Sequence, residues 1–271
     1  MENADAVGGQ PAGRVYTVFG PRGGSGKTML AVNLAVALAK LHPEQVGLLD
    51  LSLTFGHCAL VLNAAPRTSV AAASVDSLSR LDRAGLGHYL SDHSSGLKLM
   101  VGANRAEEGD VVTGEHVSAA IRLLRQAFPI SFIDTSSSFT DPTISALENA
   151  DKIILVCTPE LSTLRDIREC QRILSEVIHV PSERLMYLMN NPYPFKPLAM
   201  EQFVQTLEQS IDIEIPYGND VPAKAAMRGE AFVQTQAGSA VAKAVDKLAR
   251  TIEAEIFPPA VPERRGLFGR R

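Results

Sequence analysis

A short glycine-rich segment near the N-terminus constrains the fold more than any other feature of the chain. Residues 23–28 are Gly-Gly-Ser-Gly-Lys-Thr, and they join an apolar run, Arg14–Gly20, to a helical pattern, Lys27–Leu41. Glycines let backbone N–H groups turn toward a ligand, and the N-terminus of the following helix adds a positive dipole. This context predicts a phosphate-binding loop in which Lys27 reaches the β- and γ-phosphates and the Thr28 hydroxyl ligates Mg²⁺.

The rest of the chain alternates short apolar runs with longer amphipathic stretches. This alternation predicts an α/β fold, namely a doubly wound, mostly parallel sheet with helices on both faces. Further strands are predicted at Val46–Leu51, Leu97–Ala103, Ile130–Asp134, Lys152–Cys157, Leu185–Met189 and Ile211–Ile215. Helices are predicted over Glu160–Ile178 and Gly238–Ile256, with one or two short helices in the Ala/Ser-rich stretch 64–95.

Charge is distributed unevenly along the 271 residues. The net charge is −4, but the last twelve residues hold four arginines and one glutamate, a local +3, so the remainder carries −7. An acidic body is not suited to coating DNA nonspecifically. We expect a disordered leader over 1–13, one globular domain over 14–257, and a Pro-rich, then basic and hydrophobic tail over 258–271.

The cysteines and the hydropathy pattern favour a cytoplasmic protein. Cys58, Cys157 and Cys170 are scattered without a CxxC pair, which predicts neither a disulfide framework nor a zinc framework. The chain also lacks an apolar run of ~18 residues, so we expect no membrane-spanning helix.

Two aspartates end apolar strands. Asp50 closes Gly47-Leu48-Leu49, and Asp134 closes Ile130–Ile133. The carboxyl ends of strands in an open α/β sheet flank the ligand crevice, and a carboxylate there can hold Mg²⁺ directly or through water. The alternative is that each one caps a helix or a turn.

These segments together resemble the ParA/MinD family of ATPases from about Val15 to Ile256. Arg22-Gly23-Gly24-Ser25-Gly26-Lys27-Thr28 is similar to their deviant Walker A motif. Asp50-Leu51-Ser52 matches their D-x-D switch, and Phe132–Thr135 matches their Walker B strand. The globular domain is therefore identified as a ParA/MinD-like ATPase domain.

The resemblance also implies which residues bind the cofactors ATP and Mg²⁺. Asn190, at the end of a strand, resembles an asparagine that contacts adenine, and Pro216 with Tyr217 resembles the following I-P-Y-D segment. The expected ATP-binding set is Gly23, Gly24, Ser25, Gly26, Lys27, Thr28, Met29, Asn190, Pro216 and Tyr217. The expected metal ligands are Thr28, Asp50 and Asp134.

Less general features are similar to the CpaE/TadZ branch of this family. They are the segments 48–57 and 79–82 and the terminal Gly266-Leu267-Phe268-Gly269. The resemblance implies a dimeric localisation factor for polar assembly of Tad-type pili, recruited by a protein partner. We expect no segment of the given sequence to form the N-terminal receiver-like domain that is common in CpaE.

Three positions depart from the family pattern. The characteristic lysine that crosses an ATP-sandwiched homodimer is Arg22, the second aspartate of D-x-D is Ser52, and the aspartate of I-P-Y-D is Gly218. Arg22, Lys27, Asp50 and Ser52 form the expected catalytic set, and we expect slow ATP hydrolysis because serine cannot act as a base. Alternatively, Arg22 pairs with an acidic side chain of its own subunit.

Four classes of function remain open at this point. They are an ATP-switched dimeric positioning factor for a pilus or another cargo, a non-hydrolysing nucleotide-bound scaffold, an iron–sulfur carrier, and a DNA-segregation protein. The iron–sulfur class needs cysteines that bridge a cluster between subunits, and the Thr-Ser-Ser-Ser-Phe stretch after Asp134 has none. DNA segregation needs a basic face, which the acidic body does not favour.

The tail resembles a short version of the amphipathic membrane-targeting tail of MinD, which implies that it binds an anionic membrane surface. Deletion of residues 263–271 should therefore abolish flotation of the protein with anionic liposomes. Each arginine near an anionic surface contributes about 1 kcal/mol, Leu267 and Phe268 can insert, and a dimer with two tails binds better than one. Neutral liposomes are the control. Equal flotation of both proteins would show instead that the tail is a solvated end.

Overall fold

The computed structural model describes residues 12–257, so the tail and most of the expected leader lie outside the described residues. Eight strands form one sheet. Their bounds are β1 Arg14–Phe19, β2 Val46–Leu51, β3 Ser91–Asp92, β4 Lys98–Val101, β5 Ile130–Thr135, β6 Lys152–Cys157, β7 Leu185–Asn190 and β8 Ile213–Ile215. Gly13, placed in the leader by the sequence, is bound to the domain instead, since its N–H donates to the Arg125 carbonyl.

The strand order is β3-β4-β2-β5-β1-β6-β7-β8. All paired strands are parallel except β3, which runs antiparallel to β4 at one edge. The predicted doubly wound, mostly parallel sheet is therefore confirmed. The two-residue strand β3 has no hydrophobic pattern of its own, and sequence analysis did not predict it.

Eleven α-helices are found within residues 12–257. Their bounds are α1 Lys27–Leu41, α2 Cys58–Val61, α3 Val75–Arg80, α4 Arg83–Leu86, α5 Gly114–Ala127, α6 Asp141–Glu148, α7 Leu161–Arg172, α8 Met200–Leu207, α9 Val221–Arg228, α10 Phe232–Thr235 and α11 Ala240–Ile256. The predicted long helix over 160–178 is observed as α7 followed without a break by a π-helical turn, Ile173–Val177. The stretch 64–95 holds α3, α4 and two 3₁₀ turns.

The helices cover both faces of the sheet. Side chains of α1, α2, α10 and α11 form the core on one face, while α3 to α8 contribute to two apolar clusters on the other. Because side chains alternate along a strand, Val46 and Leu48 of β2 join the α1 side and Leu49 and Leu51 the opposite side. Asp50 therefore points to the α1 face.

No helix within the described part of the chain combines the length and the apolar character that crossing a membrane requires.

Candidate functional site

The glycine-rich loop lies between the carboxyl end of β1 and the first turn of α1. Gly24 and Gly26 have φ angles of 76° and 91°, the left-handed region that favours glycine. A Cβ on Gly26 would also lie 2.5 Å from the Asn190 amide nitrogen. Gly26 is the N-cap of α1, and no side chain caps it. The loop therefore presents a helix N-terminus that is suited to an anion.

Lys27 is buried beneath this loop, with 8% of its surface exposed. Its ammonium donates to the Arg22 carbonyl at 2.9 Å and to the Ser137 hydroxyl at 2.6 Å. Burial lowers the pKa of Lys27, and the charge of Asp134 opposes that shift. Because phosphate oxygens are stronger acceptors than a carbonyl or a hydroxyl, the ammonium can exchange these contacts for contacts with a phosphate group.

Asp50 and Asp134 stand directly opposite each other on the neighbouring parallel strands β2 and β5. Asp50 is 4% exposed and Asp134 is fully buried. The Asp50 carboxylate accepts from the N–H groups of Ser52 at 2.9 Å and Cys58 at 3.0 Å. The Asp134 Oδ2 accepts from the Thr28 hydroxyl at 2.7 Å. The structure thus brings together the three residues that the sequence predicted as metal ligands.

The electrostatics of this pair favour a cation. Burial raises the pKa of both carboxyl groups, and the charge of Asp50 further raises that of Asp134. Asp134 Oδ1 is buried and has no hydrogen-bond partner. A divalent cation would satisfy this oxygen and neutralise both charges, and carboxylate and hydroxyl oxygens are ligands that suit Mg²⁺. The donor set of Thr28, Asp50 and Asp134 therefore fits Mg²⁺.

Ser52 follows β2 and lies half-buried beside Asp50. The chain then turns so closely over the carboxylate that a Cβ on Gly56 would lie 2.8 Å from Asp50 Oδ2. Side-chain space above Asp50 is therefore restricted. The hydroxyl of Ser52 is neutral, so it can orient a water molecule but cannot accept its proton near neutral pH.

Arg22 is held within its own subunit. Its guanidinium forms an ion pair with Glu160 at 3.4 Å and a hydrogen bond with the hydroxyl of Ser162 in α7. Glu160 also accepts from the Tyr193 hydroxyl at 2.6 Å. The Arg22 side chain is 37% exposed, so this pair is partly open to solvent. The structure thus shows the local pairing that the sequence offered as the alternative for Arg22.

The residues expected near adenine lie beyond the loop at the same edge of the sheet. The Asn190 amide donates to the Ser25 carbonyl at 2.8 Å, which fixes the loop against the end of β7. Pro216 and Tyr217 follow β8, the next strand, and both are half-buried. Asn190 therefore positions the phosphate loop directly, a contact that its sequence motif did not indicate.

Sequence analysis missed three residues of this site. The Cys58 thiol lies 3.7 Å from Asp134 Oδ2, Ser137 accepts from Lys27, and Glu160 pairs with Arg22. Ser137 lies in a polar Thr-Ser-Ser-Ser run after Asp134, which was the only local signal for it. The positions of Cys58 and Glu160 depend on long-range packing, which no local pattern reports.

Comparisons with known proteins agree with this fold. No protein-family model matches the chain. The septum site-determining protein MinD of Bacillus subtilis (strain 168) is 26% identical over 261 residues, which cover 93% of this chain and 94% of that protein. A ParA family ATPase from Chlorobium tepidum TLS has a TM-score of 0.81 at 22% identity and covers 88% of this chain and 98% of its own.

A second solved structure is the septum site-determining protein MinD from Pyrococcus horikoshii OT3, complexed with Mg-ADP. Its TM-score is 0.74 at 22% identity, with 89% of this chain and 96% of that chain covered. The structural likeness establishes the P-loop fold of the ParA/MinD proteins. Together with the sequence relative, it supports a ParA/MinD-type P-loop ATPase.

Replacement of Asp134 by Asn should stabilise the protein at pH 8 when metal and nucleotide are absent. Folding raises the pKa of Asp134 from about 3.9 in the unfolded chain to about 7. The folded state therefore holds this proton more tightly, and the free energy of unfolding falls as the pH rises through that interval. One pKa unit corresponds to about 1.4 kcal/mol, so we expect a gain of about 1 kcal/mol or more.

Urea unfolding in EDTA at pH 5 and pH 8 measures this effect, and the gain should be smaller at pH 5. Asp110→Asn is the matched control, because Asp110 is exposed and should change stability little. If Asp134→Asn is less stable than the unaltered protein at pH 8, the buried carboxylate of Asp134 does not destabilise the folded state.

Proposed function

We propose that this protein is an ATP-binding, nucleotide-switched positioning or assembly factor that forms a homodimer with ATP and hydrolyses ATP slowly. The observation that carries the proposal is that four side chains lie close together beneath the glycine-rich loop, in which Gly24 and Gly26 have positive φ angles. They are Lys27, Thr28, Asp50 and Asp134. The relatives support a nucleotide-dependent positioning or division factor, since the Bacillus subtilis protein is named a septum site-determining protein.

The proposal gives each of these residues a role in nucleotide binding. The N–H groups at the start of α1 face the phosphates, and Lys27 transfers its hydrogen bonds from Arg22 and Ser137 to the β- and γ-phosphate oxygens. Thr28, Asp50 and Asp134 would hold Mg²⁺, which would supply positive charge to stabilise the negative charge on the phosphates. Asn190 fixes the loop, and Pro216 with Tyr217 lines the adenine side.

We expect slow hydrolysis because the chain lacks an acidic group to position and activate the attacking water. Hydrolysis needs a water molecule held in line with the γ-phosphate, and an acidic group there also assists its deprotonation. By the resemblance to the D-x-D motif, Ser52 stands where that acidic group would be, and it supplies only a neutral hydroxyl. A non-hydrolysing, nucleotide-bound scaffold is the second candidate, and the same residue favours it.

The cargo is proposed from the sequence motifs alone. Segments 48–57, 79–82 and 266–269 favour an assembly factor of the CpaE/TadZ kind, with a pilus or other polar machinery as the protein partner. A MinD- or ParA-like positioning ATPase for another cargo is the alternative. We place the protein in the cytoplasm, with its tail on an anionic membrane surface, and we expect no specific nucleic acid partner.

Replacement of Lys27 by Ala should remove measurable ATP binding. Hydrogen bonds to charged groups contribute about 1.5–3 kcal/mol each, so the affinity should fall by at least about 10- to 100-fold. Isothermal titration calorimetry with ATP and Mg²⁺ measures the loss. Lys243→Ala, at an exposed position on α11, is the control and should bind normally. Unchanged affinity in Lys27→Ala would refute the phosphate-loop assignment.

Replacement of Arg22 by Ala should prevent ATP-dependent dimerisation. In the dimer the guanidinium leaves Glu160 and binds phosphate across the interface, and a partly exposed ion pair costs only about 1 kcal/mol or less to break. Glu160→Gln should accordingly promote dimerisation. Sedimentation with a slowly hydrolysed ATP analogue measures both effects.

Arg14→Ala is the matched control for the dimerisation experiment, since Arg14 starts β1 and so lies at the end of the strand opposite the phosphate loop. It should dimerise like the unaltered protein. Dimerisation that is unaffected by Arg22→Ala, or a monomer under all conditions, would argue against an arginine that acts between subunits.

Replacement of Ser52 by Asp should accelerate phosphate release. The unaltered protein is expected to turn over well below about 1 s⁻¹, and a positioned carboxylate contributes a factor on the order of 10²–10⁴. Ser52→Asn is the control, because it adds a polar group of similar size without a base. If both variants match the unaltered protein, Ser52 does not limit hydrolysis.

A further inference from the structure

The ammonium of Lys27 is held by one acceptor from the phosphate loop and by one from outside it. The Arg22 carbonyl, 2.9 Å away, belongs to the loop itself. The Ser137 hydroxyl, 2.6 Å away, comes from the segment that follows β5. The shorter of the two contacts therefore ties the buried cation to a separate part of the chain, which can move without distorting the loop.

The segment that carries Ser137 is anchored at both ends and polar between them. Before it, the buried Thr135 hydroxyl donates to a backbone carbonyl of β1 at 2.8 Å. After it, the ring of Phe139 packs against a phenylalanine ring of β1, with 4.9 Å between the centroids. Residues 136–138 are all serines, and each is at least partly exposed. Ser137 can thus leave Lys27 through a movement of this serine run, and neither anchor has to break.

We propose that the Ser137 hydroxyl takes the place of a phosphate oxygen on Lys27 and so lowers the affinity of the nucleotide-free protein for polyphosphates. An ammonium with 8% of its residue surface exposed needs acceptors in place of water. Ser137 supplies one of them, and a phosphate that binds Lys27 has to displace it. The inference rests on the proposed function, because it takes the phosphate loop as the nucleotide site.

This contact stabilises only one state of the protein, so its removal has opposite effects on folding and on binding. Ser137→Ala removes a partner of the buried cation from the nucleotide-free protein. In the nucleotide-bound protein a phosphate replaces the hydroxyl, so the same substitution has little effect there. The variant should therefore be less stable without nucleotide and should bind polyphosphate more tightly, both by the same factor.

The size of this factor follows from the exposure of Ser137. A hydrogen bond to a charged group contributes a factor on the order of 10–100 to an equilibrium constant. Ser137 is half-buried, so a water molecule can replace part of the lost hydrogen bond. We therefore expect tighter binding by about 3- to 10-fold.

The effect should also depend on how many phosphates the ligand carries. The loop lysine reaches the β- and γ-phosphates, so ADP and ATP compete with Ser137 for Lys27. AMP has no β-phosphate and does not displace the hydroxyl. This dependence distinguishes a competitor at Lys27 from a general change in the shape of the loop.

The neighbouring serine provides a matched control. The Ser136 hydroxyl is hydrogen-bonded to the Thr143 hydroxyl at 3.3 Å, and within residues 12–257 the hydrogen bonds of Lys27 do not include it. Ser136→Ala removes the same atom from the same serine run. Ser137→Thr keeps the hydroxyl and is the conservative variant.

Isothermal titration calorimetry of the full chain with Mg-ADP tests the proposal, because ADP carries the β-phosphate and lacks the γ-phosphate that is hydrolysed. We expect Ser137→Ala to bind Mg-ADP about 3- to 10-fold more tightly than the unaltered protein. Ser136→Ala and Ser137→Thr should bind like the unaltered protein, and no variant should gain affinity for AMP. Urea unfolding without nucleotide should show the matching loss of stability in Ser137→Ala.

The proposal is overturned if Ser137→Ala binds Mg-ADP no more tightly than the unaltered protein. Weaker binding would make the hydroxyl a ligand of the phosphate, and an equal gain for AMP would place the effect away from Lys27, so both results also overturn it. Ser137→Gly removes the same hydroxyl and serves as the second test if Ser137→Ala fails to fold. If the unaltered protein and all of these variants fail to bind Mg-ADP, the proposed function fails, and this proposal fails with it.

Discussion

The functional site depends on the register between β2 and β5. That register places Asp50 opposite Asp134 at the carboxyl end of the sheet, where both side chains turn to the α1 face and are shielded from water. Two like charges in such a place are unfavourable unless donors or cations surround them. The hydroxyl of Thr28, the ammonium of Lys27, the N–H groups after β2 and the thiol of Cys58 are arranged around this pair.

The phosphate loop is stabilised by contacts that differ in strength. Asn190 holds the loop from β7 through a short amide hydrogen bond, and Lys27 is anchored beneath it by two acceptors. Arg22, by contrast, rests on Glu160 at a position open to solvent, where screening leaves little energy in an ion pair. A loop held by several hydrogen bonds, with one weakly held arginine, fits the proposed nucleotide-dependent dimer.

The fold by itself does not specify the cargo. Proteins that share this sheet and loop can serve different tasks, because function is decided by side chains placed on the common scaffold. In this chain two departures from the ParA/MinD motif pattern, Arg22 and Ser52, lie at or near the phosphate loop. We propose that Ser52 weakens the activation of water, because its hydroxyl is neutral. Arg22 carries its charge on a planar guanidinium instead of a lysine ammonium.

The sequence alone determined the sheet class, most strands and the phosphate loop, because hydrophobic periodicity and glycine spacing are local properties. It also placed Asp50 and Asp134 at one edge, since parallel strands end together. The tertiary structure decided which groups meet there. Cys58 lies 76 residues before Asp134 and Ser137 lies 110 residues after Lys27, so only the packing of α2 and the turn after β5 brings them together. The antiparallel β3 is likewise formed by pairing with β4, which a two-residue local pattern does not encode.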